Sequence, residues 1–169
     1  IYTNIYNSER SEDTPEALYQ SSAKSLSTKE SWEIIEEYVN LSGNRKLDII
    51  DIGGGGGGFL DKYKTKHNCY VSDFESKWLE NAAKNNINVI QGGIEEILSL
   101  NKNFDLIILN HVIEHWSNFE TEITNLKKIC KENKTKIFIE VPGIDSLKHG
   151  RREADIVGDV IIYHYHYFS

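Results

Sequence analysis

A carboxylate followed almost at once by a run of glycines is the strongest chemical signal in the sequence. Asp51 stands two residues before six consecutive glycines, residues 53–58, and the apolar run before them is typical of a buried strand. Glycines at the end of a strand let the backbone turn sharply and approach a ligand without Cβ clashes. In open α/β sheets, ligands bind beyond the carboxyl ends of the strands, where the strand order reverses. The pattern predicts a ligand-cradling loop, with Gly53, Gly55 and Gly57 as its backbone contacts.

The charge beside this loop indicates which kind of ligand it holds. Gly53, Gly55 and Gly58 also satisfy the G-x-G-x-x-G pattern of dinucleotide-binding folds. The Asp51 carboxylate, however, would repel a pyrophosphate and attract the amino group and sulfonium of S-adenosylmethionine. Asp73, about twenty residues further on, can accept hydrogen bonds from both hydroxyls of a ribose, a feature that both cofactor classes share. We therefore expect S-adenosylmethionine, held by Asp51 and Asp73, and keep an NAD-dependent oxidoreductase as the alternative.

A second motif combines two histidines with a glutamate. Residues 111–115 read His-Val-Ile-Glu-His, which matches the H-x-x-E-H signature of a class of zinc peptidases. That chemistry requires both histidines on one face of a helix, whereas this motif directly follows an apolar strand and Asn110. Its first half should therefore lie in a strand-to-helix turn. We expect no metal here, with Glu114 and His115 as capping and packing residues, and a zinc hydrolase is the alternative that bound metal would reveal.

Two further histidines lie near the end of the sequence. Residues 163–169 alternate tyrosine with histidine, so His164 and His166 point to one side if this segment is extended. The pKa of a histidine suits it to deprotonate a hydroxyl or an amine. These two histidines therefore join His111 as candidate general bases, and an aromatic surface strand is the alternative.

The elements that position these residues alternate between strand and helix. Apolar runs and helical spacing predict strands at 47–52, 68–73, 87–91, 104–109 and 136–141, and helices at 27–39, 59–63, 77–83, 94–100 and 119–130. Ser27 and Glu30 form a capping box at the first helix. The alternation implies right-handed βαβ units. The predicted fold is α/β, a Rossmann-like, doubly wound and mostly parallel sheet with helices on both faces.

The chain divides into a lead segment and a ligand-binding domain. Residues 1–46 form a polar segment and a helix, which is a candidate lid, and residues 47–169 form the domain itself. The sequence starts at Ile1 and contains no methionine, which indicates a piece of a longer protein. The net charge of −7 argues against nucleic acid as a partner. No run is long enough for a membrane span, and two cysteines in apolar segments indicate a cytoplasmic setting.

Four segments together resemble the class I S-adenosylmethionine-dependent methyltransferases. Residues 47–60 resemble motif I of that family, acidic-x-Gly-x-Gly-x-Gly, and residues 73–82 look like the segment after its second strand. Residues 89–97 are similar to its adenine-binding segment, and residues 104–115 closely resemble its motif after strand four. The best match is the branch that contains ubiquinone-type and sugar or polysaccharide methyltransferases.

The resemblance implies a cofactor, an acceptor and a set of contacts. The cofactor would be S-adenosylmethionine, with S-adenosylhomocysteine as product, and the acceptor a hydroxyl or amine of a small, carbohydrate-like molecule. The segment 163–169 resembles one that lies over the acceptor pocket in the sugar-methylating branch. The implied cofactor contacts are Asp51, Gly53, Gly55, Gly57, Asp73, Phe74, Gly93, Ile94, Asn110 and His111.

The sequence departs from that family in two places. Where the family has an acidic residue for the adenine amino group, this chain has Gly93, which leaves backbone groups near Gly93 and Ile94 for that contact. The family fold also ends with two further strands, and the sequence stops before them, so we expect a sheet without its C-terminal strands. Both departures keep a non-catalytic cofactor-binding module open as an alternative function.

Overall fold

The structure, a computed structural model, describes residues 14–142 and is built around a sheet of five strands. The strands are β1 (Asp48–Ile52), β2 (Asn68–Asp73), β3 (Asn88–Gln91), β4 (Leu106–Asn110) and β5 (Lys136–Glu140). They lie in the order β3-β2-β1-β4-β5, and every neighbouring pair is parallel. The Rossmann-like, doubly wound α/β sheet that the sequence predicts is therefore confirmed over this part of the chain.

Helices cover both faces of this sheet. Within residues 14–142 the α-helices are α1 (Pro15–Lys24), α2 (Leu26–Tyr38), α3 (Ser76–Lys84), α4 (Ile94–Ser99) and α5 (Phe119–Lys128). Thr14, Ser25 and Asn118 cap three of them, each accepting a hydrogen bond from the backbone N–H three residues later. The capping box predicted at Ser27 and Glu30 is wrong, because α2 begins earlier, with Ser25 as its cap.

Alternate residues of the strands form two apolar layers, because successive side chains of a strand point to opposite faces of the sheet. One layer packs under α1, α2 and α3 and includes Tyr19, Trp32, Ile49, Val71 and Ile108. The other packs under α4 and α5 and includes Ile50, Ile52, Ile107, Leu109 and Leu126. Asp51 and Asn110 continue the first layer by alternation, so two polar side chains stand at the carboxyl end of an otherwise apolar face.

The segment between β1 and β2 contains less helix than predicted. In place of a helix over residues 59–63 it has a single 3-10 turn, Gly58–Leu60, followed by further turns. Helix α1 lies against this turn, since a Cβ at Gly58 would overlap the carbonyl oxygen of Tyr19. The Trp32 indole N–H also donates to the carbonyl oxygen of Phe59 at 2.8 Å. The lead segment thus packs directly against the glycine loop.

The described helices are all too short or too polar to cross a lipid bilayer.

Candidate functional site

The candidate site lies at the carboxyl edge of the sheet, between β1 and β4. These strands are neighbours, and their connections leave in opposite directions, to β2 on one side and to β5 on the other. Such a reversal opens a crevice between the two following loops, and ligands bind there. The loops touch at their base, where a Cβ at Gly53 would lie 2.9 Å from Cγ2 of Val112. The fold therefore brings the glycine loop and the histidine motif to one cleft.

Backbone hydrogen bonds hold the glycine loop against β2. The N–H groups of Gly53 and Gly54 donate to the Ser72 carbonyl oxygen at 2.8 and 3.2 Å, and the Gly57 N–H donates to the Gly54 carbonyl oxygen at 3.0 Å. Gly53, Gly55 and Gly57 have φ angles of +70°, +53° and +76°, which L residues with a side chain rarely adopt. The three glycines predicted as ligand contacts are thus the positions at which the turn requires glycine.

The Asp51 carboxyl group is buried beneath this loop, with 2% of the residue exposed. Its Oδ2 lies so close to Gly54 that a Cβ at Gly54 would overlap it. Burial, with a smaller contribution from the negative charge of Asp73, raises the pKa of Asp51 to about 8. The carboxyl group therefore holds a proton at neutral pH, and a cation bound beside it would favour the ionised form.

Asp73 joins the glycine loop to the end of β2. Its Oδ2 accepts a hydrogen bond from the Gly55 N–H at 2.9 Å, and its Oδ1 accepts one from the Glu75 N–H at 3.0 Å. Burial raises the pKa of Asp73, and the backbone N–H groups around it only partly oppose that shift. The carboxylate stands at the rim of the loop, beside the glycines that the sequence predicts as cofactor contacts.

An aromatic ring and a glycine lie next to each other beyond β2 and β3. Phe74 is 69% exposed, and its Cζ lies 3.2 Å from the position that a Cβ of Gly93 would take. The Gly93 N–H donates to Glu96 Oε2 at 2.8 Å, so this amide already has an acceptor. Ile94 points into the core and is 3% exposed, which leaves its backbone as the part that can reach a ligand.

The end of β4 carries a buried polar atom and a strained backbone. Asn110 pairs with Glu140 of β5, and its side-chain oxygen Oδ1 is buried without a hydrogen-bond partner among the described residues. His111 follows with a φ of +54°, and its N–H donates to the Glu140 carbonyl oxygen at 2.8 Å. Strained residues of this kind cluster at functional sites. The His111 side chain is 53% exposed, so it can reach a molecule in the cleft.

The sequence predicts that Glu114 caps a helix, and this prediction is wrong. Glu114 lies in a 3-10 turn, Ile113–His115, which has no side-chain cap, and the next helix starts at Phe119 with Asn118 as its cap. Glu114 is 1% exposed, with His111 Nδ1 at 3.4 Å from its Oε1. Within residues 14–142, no group of three or more His, Cys, Asp and Glu side chains is placed to hold a metal ion.

The structure brings together Asp51, the three glycines, Asp73, Asn110 and His111, whereas the other candidate bases, His164 and His166, lie outside the described residues. Sequence reasoning missed one nearby contact. The Ser31 hydroxyl donates to Glu140 Oε2 at 2.8 Å, and both line a groove of about 530 Å³ between α2 and β5. A serine in a helix and a glutamate ending a strand carry no sequence signal that they will meet.

Comparison with known proteins agrees with this architecture. Residues 28–169 match a family model described as a methyltransferase domain. The chain is 36% identical over 108 residues to the ubiquinone biosynthesis O-methyltransferase of Rickettsia canadensis (strain McKiel), covering 60% of this chain and 44% of that protein. The corresponding enzyme of Rickettsia akari (strain Hartford) is 37% identical over 111 residues, with the same shares. The chain thus spans less than half the length of these relatives.

Among solved structures, the plantazolicin methyltransferase BpumL, in complex with a triazolic desmethylPZN analog and SAH, has a similar fold. The TM-score is 0.68 at 21% identity, and the match covers 90% of this chain and 63% of that one. The likeness in fold and the family match over most of the chain agree with the glycine loop and cleft. The chain therefore belongs to the methyltransferase-domain family.

Proposed function

We propose that this chain binds S-adenosylmethionine in the cleft between β1 and β4 and transfers its methyl group to a hydroxyl of a small acceptor. The family match, the glycine loop and the acidic residues beside it support this proposal. When bound, S-adenosylmethionine supplies a methyl group on a positively charged sulfur, already activated for in-line displacement. The chain has to bind, orient and shield the two reactants.

The observation that carries the proposal is the placement of Asp73. Its carboxylate stands at the rim of the glycine loop, 2.9 Å from the Gly55 N–H and 3.0 Å from the Glu75 N–H. These two backbone donors orient the carboxylate, and each of its oxygens keeps a further lone pair. Asp73 would accept hydrogen bonds from the two ribose hydroxyls, while Gly53, Gly55 and Gly57 let the ligand approach the backbone.

The electrostatics of the cleft fit the methionine end of this cofactor. Burial and the negative charge of Asp73 raise the pKa of the Asp51 carboxyl group, and no cation among the described residues offsets them. The ammonium group of the cofactor would supply one. The unpaired Oδ1 of Asn110 is a second acceptor close to the end of β4. We assign both groups to the ammonium end, and Phe74, Gly93 and the Ile94 backbone to the adenine.

An NAD-dependent oxidoreductase fits the same cleft less well. A pyrophosphate in such folds lies at the N-terminus of the α-helix that follows the glycine loop. In this chain the loop leads into the 3-10 turn Gly58–Leu60 instead of an α-helix. The phosphates would hold the buried Asp51 beneath the loop in its protonated form, or would be repelled by it once it is ionised. Neither feature opposes a cationic cofactor.

His111 is the group that we assign as general base toward the acceptor. It directly follows Asn110 at the end of β4, and its side chain is 53% exposed. The reaction breaks the bond between sulfur and the methyl carbon and forms a bond between that carbon and the acceptor oxygen. The hydroxyl proton passes to His111, and sulfur leaves as a neutral thioether. His164 and His166 are alternative bases in this proposal.

A groove beside β5 is a candidate place for the acceptor. Its lining combines the Glu140 carboxylate and the Ser27 and Ser31 hydroxyls, which can hydrogen-bond hydroxyls, with apolar side chains of α2 and β5. The Rickettsia relatives are named as O-methyltransferases. We propose an oxygen acceptor on a carbohydrate-like or phenolic molecule.

Calorimetric titration of the chain with S-adenosylmethionine, S-adenosylhomocysteine and NAD tests the cofactor. We expect micromolar binding of the first two and none of NAD, and binding of NAD alone would contradict the proposal. Release of S-adenosylhomocysteine is then measured with a catechol, a nucleotide sugar and a primary amine. Turnover with a hydroxyl compound supports oxygen transfer, and turnover with the amine alone would contradict it. Cofactor binding without any turnover would favour a non-catalytic module.

A further inference from the structure

The buried glutamate behind His111 is a titratable group that the proposed reaction has not yet used. Glu114 is 1% exposed, and no group within residues 14–142 makes a well-formed hydrogen bond to either of its carboxyl oxygens. Leaving such a group unpaired costs about 1–3 kcal/mol, and more when the group is charged. Packing alone would be served better by an apolar side chain, so the position of Glu114 calls for a chemical reason.

The imidazole of His111 lies beside Glu114. Its Nδ1 lies 3.4 Å from Glu114 Oε1, a separation that a small rotation of either side chain would shorten to a hydrogen bond. The two residues are held in this relation by the backbone. His111 takes the left-handed conformation with a φ of +54°, its N–H is fixed to Glu140, and Glu114 lies in the turn that follows.

The groups that face Glu114 are basic. Burial by itself raises the pKa of the Glu114 carboxyl, but the contact with His111, its own backbone N–H and the charges of His115 and His111 outweigh burial, so its pKa is lowered. Burial and the negative charges of Glu95 and Glu96 raise the pKa of Glu122 in α5, and neither of these two charges is among the causes of the Glu114 shift. The Glu114 side chain is thus a carboxylate at neutral pH, able to accept a hydrogen bond from a ring N–H group.

We propose that Glu114 is a positioning residue whose buried carboxylate holds the His111 imidazole through Nδ1–H, so that Nε2 is the nitrogen offered to the acceptor. This inference rests on the proposed role of His111 as general base. In the neutral ring one nitrogen carries the proton and the other accepts one. The carboxylate fixes that choice and stabilises the imidazolium that forms when Nε2 takes the hydroxyl proton.

The test is NMR of the histidine rings in the whole chain labelled with 15N. The sequence has six histidines, and the spectrum of His111→Gln identifies the His111 signals. Above its pKa, wild-type His111 should be in the Nδ1–H form, because Glu114 accepts that proton. An Nε2–H form in the wild-type protein would overturn the inference without any variant of Glu114.

A second measurement removes the charge while keeping the shape. In Glu114→Gln the pKa of His111 should fall by about 1 unit, since an opposite charge at this distance shifts a pKa by roughly 1–3 units. Glu122→Gln is the control for removing a glutamate charge, because Glu122 is half-buried and faces Glu95 and Glu96. An unchanged pKa of His111 in folded Glu114→Gln would overturn the pairing, and Glu114→Asp, which retains the charge, should restore part of the shift.

Titration with S-adenosylhomocysteine separates this inference from the proposed function. If the ligand binds wild type and Glu114→Gln equally while the His111 pKa and tautomer change, the positioning role is supported. If the ligand binds and neither property of His111 changes, the positioning role alone is wrong. If the ligand does not bind wild type, the proposed function fails, while the NMR result still decides whether Glu114 controls the His111 ring.

Discussion

The two walls of the cleft differ in how their polar groups are paired. In the first wall, residues 51–57 and 73–75, the N–H groups of Gly53 and Gly54 donate to the neighbouring Ser72 carbonyl oxygen, and those of Gly55 and Glu75 donate to the Asp73 carboxylate. The second wall, residues 110–114, keeps three buried side-chain oxygens without hydrogen-bond partners among the described residues, on Asn110 and Glu114. Its backbone is also strained at His111.

The two walls should therefore respond differently when a ligand binds. A wall that is hydrogen-bonded before the ligand arrives needs no rearrangement, so its binding free energy is not spent on ordering. Unpaired buried oxygens raise the free energy of the ligand-free protein, and a ligand that donates hydrogen bonds to them can remove that cost. We infer that the first wall recognises the constant part of the cofactor. The second wall would act where the reacting groups meet.

The largest effect should come from breaking the first wall at Asp73. In Asp73→Ala the loop loses one of its hydrogen bonds to β2, that of the Gly55 N–H, and the ribose loses a charged acceptor worth about 1.5–3 kcal/mol. Affinity for S-adenosylhomocysteine should fall on the order of 100-fold in calorimetry. Asp73→Asn, which retains one acceptor oxygen, should lie between that variant and wild type. Unchanged binding by Asp73→Ala would remove the ribose assignment.

A pair of glycine substitutions sharpens the comparison within the same wall. A Cβ at Gly54 would overlap Asp51 Oδ2 and lie 2.9 Å from Val71 Cγ2, whereas a Cβ at Gly55 meets nothing within 4 Å. Gly54→Ala should lower the free energy of unfolding by about 1–3 kcal/mol through overpacking and displace the Asp51 carboxyl group. Gly55→Ala has only its positive φ to oppose, at about 1–2 kcal/mol.

Urea unfolding and cofactor titration of both variants measure that difference. Both should lose stability, and both should lose cofactor affinity by different routes. Gly54→Ala displaces the Asp51 carboxyl group, whereas the Cβ of Gly55→Ala stands where the ligand would approach the backbone. Wild-type affinity in folded Gly54→Ala would show that Asp51 does not contribute to binding through its present position.

Much of this comparison could be predicted from sequence, because it depends on local patterns. Apolar runs of strand length placed all five strands, and glycines at positive φ could be located where a strand must turn into a ligand loop. Asp51 and Asp73 were assigned from their positions at strand ends, and the structure brings both to the loop. These features depend on neighbours along the chain.

Features set by distant contacts could not be predicted in this way. The helix expected at residues 59–63 is replaced by a short turn, and α1, from the lead segment, lies against it. The Ser31 contact with Glu140 joins residues far apart in sequence. Glu114 was expected at a helix start because it follows a predicted strand-to-helix turn. Its burial behind His111 depends on how the turn after β4 folds.

The pH dependence of binding tests the charge state of the first wall. The pKa of Asp51 is raised to about 8 in the free protein, and a bound ammonium group should lower it. Below pH 8 binding must therefore release a proton, so affinity should rise by up to about tenfold per pH unit between pH 6 and 8. It should level off above pH 8, and Asp51→Asn should abolish this dependence.

The raised pKa of Asp51 has the opposite effect on folding: cofactor affinity should rise with pH, whereas the stability of the fold should fall. The folded state holds the Asp51 proton up to about pH 8, while the unfolded chain loses it near pH 4. The contribution of Asp51 to stability is therefore lost as pH rises from about 4 to 8. Denaturation of wild type and Asp51→Asn across this range measures it. A wild-type affinity that is flat from pH 6 to 8 would contradict the buried, protonated carboxyl group.

The smallest effects should come from removing two unpaired buried oxygens, one in the second wall and one on β2 next to the first wall. Asn110→Leu removes the unpaired Oδ1 of the second wall, and Ser72→Ala removes a hydroxyl on β2 that is also buried without a partner among the described residues. Replacing an unpaired buried polar group by an apolar one of similar size is nearly neutral, so each free energy of unfolding should change by less than about 1 kcal/mol.

Binding should then separate the two variants. Affinity for S-adenosylmethionine should fall about three- to tenfold in Asn110→Leu, the effect of one hydrogen bond of about 0.5–1.5 kcal/mol. It should stay unchanged in Ser72→Ala, because Ser72 is completely buried within the sheet and has no route to the ligand. Thermal unfolding and calorimetry of both variants measure these changes. If Asn110→Leu binds the cofactor as tightly as wild type, the Asn110 Oδ1 serves the acceptor or the fold instead of the cofactor. The assignment of Asn110 to the ammonium group would then be wrong.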